Sequence, residues 1–586
     1  MNYELNSKQT DRSFWQTLKS FWPFFSDQKR NLFSSIVFLL VNSIANLVSP
    51  MIIGIAIDQY IQKNDFKGLL MISGILLIIY AISLITTYYQ TKIMGVIGQR
   101  LLYKLRNAVF NKIQELPVEF FNLNKSGDLI SRINNDTDKL NQFFSQSLMR
   151  FVGSFFMMIG TAIFILSIHF QLGLMALAPA LFLLVFTKLV SAWVKRQNAV
   201  NLKAVGSMSA EIQESLDNFK VIVAFNRREF FRDKFADVNQ ENFSSSIKAG
   251  YANNIFTPVY GLAANLAQIL VLFYGIYLIS IGNFTVGLLI SYISYISRFY
   301  DPIRQIAGMW SAFQVALAGW DRISAILSLE SNLPLLSESK KQLKKADLSV
   351  LSFQNVSFRY SNGEEVLHKI SFELERGKTY ALVGPTGGGK TTTASLMARL
   401  YDPTAGEVLL NGQDIRSYTI EERAQKIGFI LQEPFLFSGN IRENILYGNE
   451  RYSKYSNEEL GKILSEHHLE RLLARFDRGL ETPVVGSGDS ISLGQRQLIA
   501  FMRAVLRDPE LLILDEATAN VDTVTEQLLE DILDTLSSTT TKVIIAHRLN
   551  TIENADQIFF INSGRVILAG SLEHALSMLL KQKRSS

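Results

Sequence analysis

Residues 384–391 read GPTGGGKT. This is the spacing G-x-x-x-x-G-K-[ST] of a phosphate-binding loop, the Walker A pattern. Gly384, Gly387, Gly388 and Gly389, with Pro385 and Thr386 among them, form a loop that can wrap phosphates with its N–H groups turned inward. Lys390 supplies a cation for the β and γ phosphates of a nucleoside triphosphate, and the Thr391 hydroxyl can ligate Mg²⁺. Thr392 continues into a helix whose N-terminus favours anions. A Gly-rich stretch can also be a mere turn. Here TYALV precedes it and the helical run ASLMARL follows, the strand–loop–helix setting that gives the match its meaning.

A second apolar run, LLILDE, ends at Asp515 and Glu516. Asp515 fits the Walker B role of holding Mg²⁺, directly or through water. Glu516 stands where a general base polarises water for in-line attack on the γ-phosphate. Two acids at a strand end can also be a solvated turn; the phosphate loop upstream argues otherwise. A third run, KVIIAH, ends at His547. A lone His is usually structural, but at the end of a strand in the same sheet it can bond the γ-phosphate or the attacking water. The alternation of short apolar strands with helical segments after residue 349 predicts an α/β domain of the P-loop NTPase kind.

The elements before it are of another class. Of 586 residues, 48% are hydrophobic and 40 are Phe, and the apolar excess fills the first half of the chain. Six runs near 32–57, 68–90, 149–168, 170–192, 256–281 and 284–305 are long enough to cross a bilayer, which takes about 20 residues. The segments after the second and fourth runs, 91–148 and 193–255, are rich in Lys and Arg, poor in Gly and Pro, and helical in apolar spacing. They predict spanning helices that continue far into the cytoplasm, with turns near Pro117–Ser126 and Gln213–Phe225. An even number of crossings puts both termini in the cytoplasm. Arg12–Phe25, with Trp and basic residues, predicts a helix lying in the membrane surface, and no cleavable signal peptide is expected. The expected division is a membrane all-α domain at 1–329, a linker at 330–348 and the α/β domain at 349–586. A net charge of +5, placed in loops that flank apolar runs, does not argue for nucleic acid. The absence of Cys excludes disulfide, thiol and zinc-ribbon chemistry.

Together these motifs resemble the ATP-binding cassette of ABC transporters, and the whole chain resembles a type IV ABC exporter half-transporter of the bacterial multidrug and lipid class. The resemblance implies further roles. Tyr360 in SFRY would stack on adenine, Gln432 in ILQEP would sense Mg²⁺ from the Q-loop, and Asp522 in TANVD would be the D-loop aspartate. His547 would be the switch histidine. Residues 490–497, SISLGQRQ, would be the signature motif, with Ser492, Gly494 and Gln495 retained and Leu493 in place of the usual first Gly. In such proteins the signature of one subunit closes on the ATP held by the other, so a dimer is implied.

A Cβ at 493 would restrict the backbone there. Just upstream, residues 482–488 (TPVVGSG) lack the acids and Arg common at this place in the family. Both departures, with Glu516 present, are those of the catalytic-Glu-bearing subunit of a heterodimer; a homodimer tolerant of Leu493 is the alternative. The function implied is ATP-driven export of drugs, lipids or peptides across the cytoplasmic membrane, with a membrane-embedded channel or regulator, or an importer, as other readings. Cavity candidates are Asn46, Asn254, Asn265, Gln268, Tyr292 and Arg298, each equally able to be a packing residue. No acid lies deep in the apolar runs, so a dedicated cation site lacks support.

Overall fold

The computed structural model describes residues 3–5, 23–24, 26–330, 333, 335–336, 349–361, 363–486, 491–515, 523–545, 554–571, 573–575 and 577–578. Two compact units emerge. One comprises Leu5–Gln114 and Ser126–Ser328, the other Met1–Glu4, Glu115–Lys125 and Leu329–Ser586. The expected surface helix lies outside the described residues except for Pro23 and Phe24, as does most of the expected linker.

The first unit is helical. Its long helices are Lys29–Ile55, Phe66–Gln114, Leu148–Ile168, Phe170–Asp217, Arg228–Asn254, Phe256–Ser280 and Val286–Leu327. Among the described residues, five helical stretches are long and apolar enough to cross a membrane. Val286–Leu327 is not among them. Its outer half alternates Ile and Leu with Ser and Tyr and carries Arg298 and Asp301, which dilute its hydropathy. Large apolar side chains such as Leu84 (74% exposed) and Phe273 (81%) point outward, as expected where the surrounding solvent is hydrocarbon. The second and fourth helices continue well past the hydrocarbon. Phe66–Gln114 has 49 residues, about 73 Å at 1.5 Å per residue, against a core of about 30 Å. The chain reverses at the short helices Val118–Leu123 and Phe219–Ala224, within the two stretches where the turns are expected.

Close crossings hold the outer ends of the helices together. A Cβ on Gly287 would stand 2.1 Å from the Gly54 carbonyl oxygen, so only small residues allow this approach. Asp58 accepts from the Gly287 N–H at 2.8 Å and from the Thr285 hydroxyl, satisfying the start of the last helix. Tyr292 is fully buried and donates to the carbonyl of His169 at 3.0 Å. It is therefore a packing residue, not a cavity group.

The second unit is α/β. Its six-stranded sheet contains β1 (Thr379–Val383), β2 (Ile427–Ile430), β3 (Leu511–Asp515), β4 (Thr541–Ile545), β5 (Gln557–Asn562) and β6 (Arg565–Leu568). The spatial order is β6-β5-β1-β4-β3-β2, parallel except for the β5–β6 hairpin. β1, β3 and β4 are buried nearly throughout, which is why they read as unbroken apolar runs. A four-stranded antiparallel sheet, led by Ser349–Arg359 and Glu365–Glu375, packs over one face through Phe353, Phe372 and Phe559. The helix Leu493–Val505 belongs to a second apolar core on the other side.

Candidate active site

Parallel strands place all their C-terminal ends at one edge, where ligands of such sheets bind. β4 lies between β1 and β3, with Ile545 in register with both Leu382 and Asp515. Asp515 therefore stands about 10 Å, two strand spacings, from the strand that feeds the phosphate loop.

The loop's shape comes from its neighbours. Gly384 has φ 151° and a Cβ there would meet the Ile561 carbonyl oxygen at 1.9 Å; Gly389 has φ 111°. Neither position admits a side chain. Lys390 starts the helix Lys390–Met397, is nearly fully buried, and reaches back to donate to the carbonyls of Gly384 (2.8 Å) and Pro385 (3.1 Å). Its ammonium thus spans the mouth of the loop. Thr386, Gly387 and Thr391 face outward, while Gly388 and Thr392 are buried. Asp515 is 2% exposed.

These residues fit a triphosphate with its metal. The loop offers an inward nest at a helix N-terminus, a cation and a hydroxyl. Among the described residues no three of His, Cys, Asp and Glu gather to hold a metal. One acid with one hydroxyl suits Mg²⁺, which takes one or two carboxylates and completes its shell with phosphate oxygens and water.

Tyr360 lies over the same helix. Its hydroxyl is 3.1 Å from the Thr392 hydroxyl, and its ring meets Phe358 and Tyr401 edge to face at 4.7 and 5.3 Å. Tyr401 is a residue that motif spacing did not reveal. It receives a 2.7 Å hydrogen bond from Asn122, and Ser361, next to Tyr360, donates to the buried Glu119. Burial raises the Tyr401 phenol above its ordinary pKa, so it stays neutral. The first of the two turns, at residues 115–125, is thereby joined to the aromatic group expected at adenine. No local signal marks this, because the partners are separated by 279 and 242 positions.

Gln432 follows β2 and is exposed. Glu516, Asp522 and His547 lie outside the described residues. Ser492 is the N-cap of Leu493–Val505. Its hydroxyl accepts from the Gln495 N–H at 3.2 Å, and the Gln495 side chain accepts from the Ser492 N–H at 3.1 Å, a complete capping box. The S-x-x-Q spacing is itself a sequence signal for this. It corrects the expectation about Leu493: position 493 is the first helical residue, where a Cβ is at no cost to the backbone. Leu493→Gly will accordingly lower the stability of the soluble unit by up to about 1 kcal/mol, and Ser492→Ala by a similar amount. Denaturant unfolding checks both; a gain in stability for Leu493→Gly would show that the Leu strains the backbone.

Two family descriptions match the chain, "ABC transporter transmembrane region" over residues 32–303 and "ABC transporter" over 367–519. An uncharacterized ABC transporter ATP-binding protein, YfiC, of Bacillus subtilis (strain 168) is 32% identical over 97% of this chain and 92% of its own length. An ATP-dependent lipid A-core flippase of Vibrio parahaemolyticus (serotype O3:K6, strain RIMD 2210633) is 30% identical over 96% of each chain. A solved structure of a bacterial Atm1-family ABC exporter with ATP bound superposes with a TM-score of 0.78 at 23% identity, covering 94% of this chain and 96% of that one, a likeness of fold. With a phosphate loop and a buried strand-end aspartate on one sheet edge, behind a unit of long apolar helices, the chain belongs to the ABC transporters, as a transmembrane region fused to an ATP-hydrolysing cassette.

Proposed function

We propose that this chain is one half of a dimeric exporter that uses ATP to move amphipathic molecules across the cytoplasmic (inner) membrane, with the cassette and both termini on the cytoplasmic side. Residues 1–329 serve as the transmembrane domain and 349–586 as the cassette, joined by 330–348. The single observation that carries the reading is the shared edge of β1, β4 and β3. It brings a phosphate nest, a cation and a buried carboxylate to one place in a chain whose other unit is built of membrane-length helices. The flippase among the relatives supports an amphipathic substrate.

In this reading Gly384–Thr392 cradle the phosphates, with Lys390 turning from the loop carbonyls to the β and γ oxygens. Thr391, Gln432 and Asp515 hold Mg²⁺, which neutralises charge on the phosphates when bound. Glu516, the residue after β3, polarises water. His547, two residues beyond β4, bonds the γ-phosphate. Tyr360 stacks on adenine, and Asp522 lies across the dimer junction. Ser492, Gly494 and Gln495 open a helix toward the nucleotide of the other subunit.

Two uncovered apolar surfaces support a dimer. The second turn carries Phe219 (55% exposed) and Phe225 (75%). The cassette carries an open groove of about 250 Å³ lined by Leu431, Phe435, Phe437, Tyr447 and Arg503. Leu493 and the acid-free segment 482–488 favour a heterodimer, in which this chain contributes the Glu516 site.

Inverted membrane vesicles containing the assembled transporter test the reading. A fluorescent lysophospholipid is expected to accumulate inside against its gradient with ATP and Mg²⁺, and not with ADP. ATP hydrolysis without any uphill movement of amphiphile would assign the chain to a gated channel or regulator instead.

A further inference from the structure

Three helices of the membrane unit bring polar groups together at one depth. Ser83 donates to the Asn42 side chain at 2.5 Å, Asn46 donates to the same Asn42 oxygen at 3.0 Å, and Arg298 donates to the Asn46 oxygen at 3.3 Å. Asn42 and Asn46, Ser83 and Arg298 lie within the apolar runs 32–57, 68–90 and 284–305, each long enough to cross a bilayer.

The cluster is charged and the charge is not neutralised. A guanidinium has five N–H donors, and the bond to Asn46 is the one hydrogen bond Arg298 makes among the described residues. The carboxylate one turn on, Asp301, pairs with Arg304 at 3.5 Å. The Tyr295 hydroxyl is spent on the Leu47 carbonyl. Arg298, Asn42, Asn46 and Ser83 are all only partly buried. A cation held at this depth is costly unless water or an anion meets it. Ser83 also borders an open, outward-facing groove of about 830 Å³ that Tyr80, Leu84 and Tyr88 form along the second helix.

We infer that Arg298, with Asn42, Asn46 and Ser83, is the head-group site for an amphiphile bearing a carboxylate or phosphate, whose chain lies along the aromatic groove of the second helix. The guanidinium meets such an oxyanion with paired N–H donors. This inference rests on the exporter reading and narrows its substrate class. A purely structural strut between the first and last helices would use the same Asn46 bond but would not discriminate charge.

The test is nucleotide-free binding to the assembled transporter in phosphatidylcholine nanodiscs, which is independent of hydrolysis and transport. Palmitate and hexadecyl phosphate are compared with hexadecanol and hexadecyltrimethylammonium by displacement of a fluorescent fatty acid. The two anions are expected to bind at least tenfold more tightly than the other two. Arg298→Gln, which can keep the Asn46 hydrogen bond, is expected to abolish that preference, and Arg298→Lys to retain part of it. Thermal unfolding like that of the unmodified protein will show that Arg298→Gln is folded. Should it misfold, the charge preference of the unmodified protein and of Arg298→Lys decides. Equal binding of all four probes, or an undiminished preference in a folded Arg298→Gln protein, would overturn the inference. A failure of uphill transport with the anion preference present would count against the exporter reading alone.

Discussion

Lys390→Ala will lower ATP affinity by at least a hundredfold and reduce turnover to background. The ammonium is nearly fully buried and 2.8 Å from the Gly384 carbonyl, so nothing else can enter the mouth of the loop to replace it. Each charge-assisted hydrogen bond to phosphate is worth about 1.5–3 kcal/mol, and this group serves two phosphates. Two such bonds amount to a factor of a hundred or more. Arginine will not rescue the variant, because a planar fork is too large for a niche shaped around a point charge. The loop should tolerate the truncation, since the lost partners are the carbonyls of Gly384 and Pro385, residues that are themselves only half-buried. Equilibrium binding of a fluorescent ATP analogue and steady-state ATPase of the assembled transporter measure the effect. Affinity within threefold of the unmodified protein would mean that the loop does not hold the nucleotide.

Glu516→Gln should leave ATP binding within a few-fold and cut hydrolysis by two to three orders of magnitude, about the contribution of a positioned general base. The amide keeps the shape and a hydrogen bond but cannot take the proton. Bound ATP that is not consumed will hold the two subunits together, so the variant should unfold at higher temperature with ATP and Mg²⁺ than without. The same substitution reports on pairing. If the partner is a different subunit, this chain purified alone will hydrolyse little, and Glu516→Gln will change little until the partner is added. Robust Glu516-dependent turnover by the chain alone would defeat the heterodimer. Unchanged turnover in the assembled complex would remove Glu516 from the chemistry.

Much of this architecture is legible along the chain because its signals are local. A loop of eight residues carries its own chemistry, and membrane-length runs declare themselves by length and apolarity. The two turns at Val118–Leu123 and Phe219–Ala224 were legible for the same reason, as breaks in a helical pattern. Reading 493 as a missing glycine obscured a different local signal. Ser492 and Gln495 are three apart and cap each other, which makes Leu493 an ordinary first helical residue.

What sequence order alone determined is the pair of units, the phosphate loop and the strand-end acids, because each depends on residues within a turn or a strand of one another. What only the tertiary structure decided is which distant groups meet. It inserted β4 between β1 and β3, and so set Asp515 across from the phosphate loop. It joined residues 115–125 to the cassette through Asn122 and Tyr401. It buried Tyr292 in packing and set Arg298 against Asn46, 252 positions away, with no ion pair to it among the described residues. Such meetings depend on how helices cross and strands order. Those arrangements are selected by burial and close packing summed over a whole unit, and no short window of residues contains that sum.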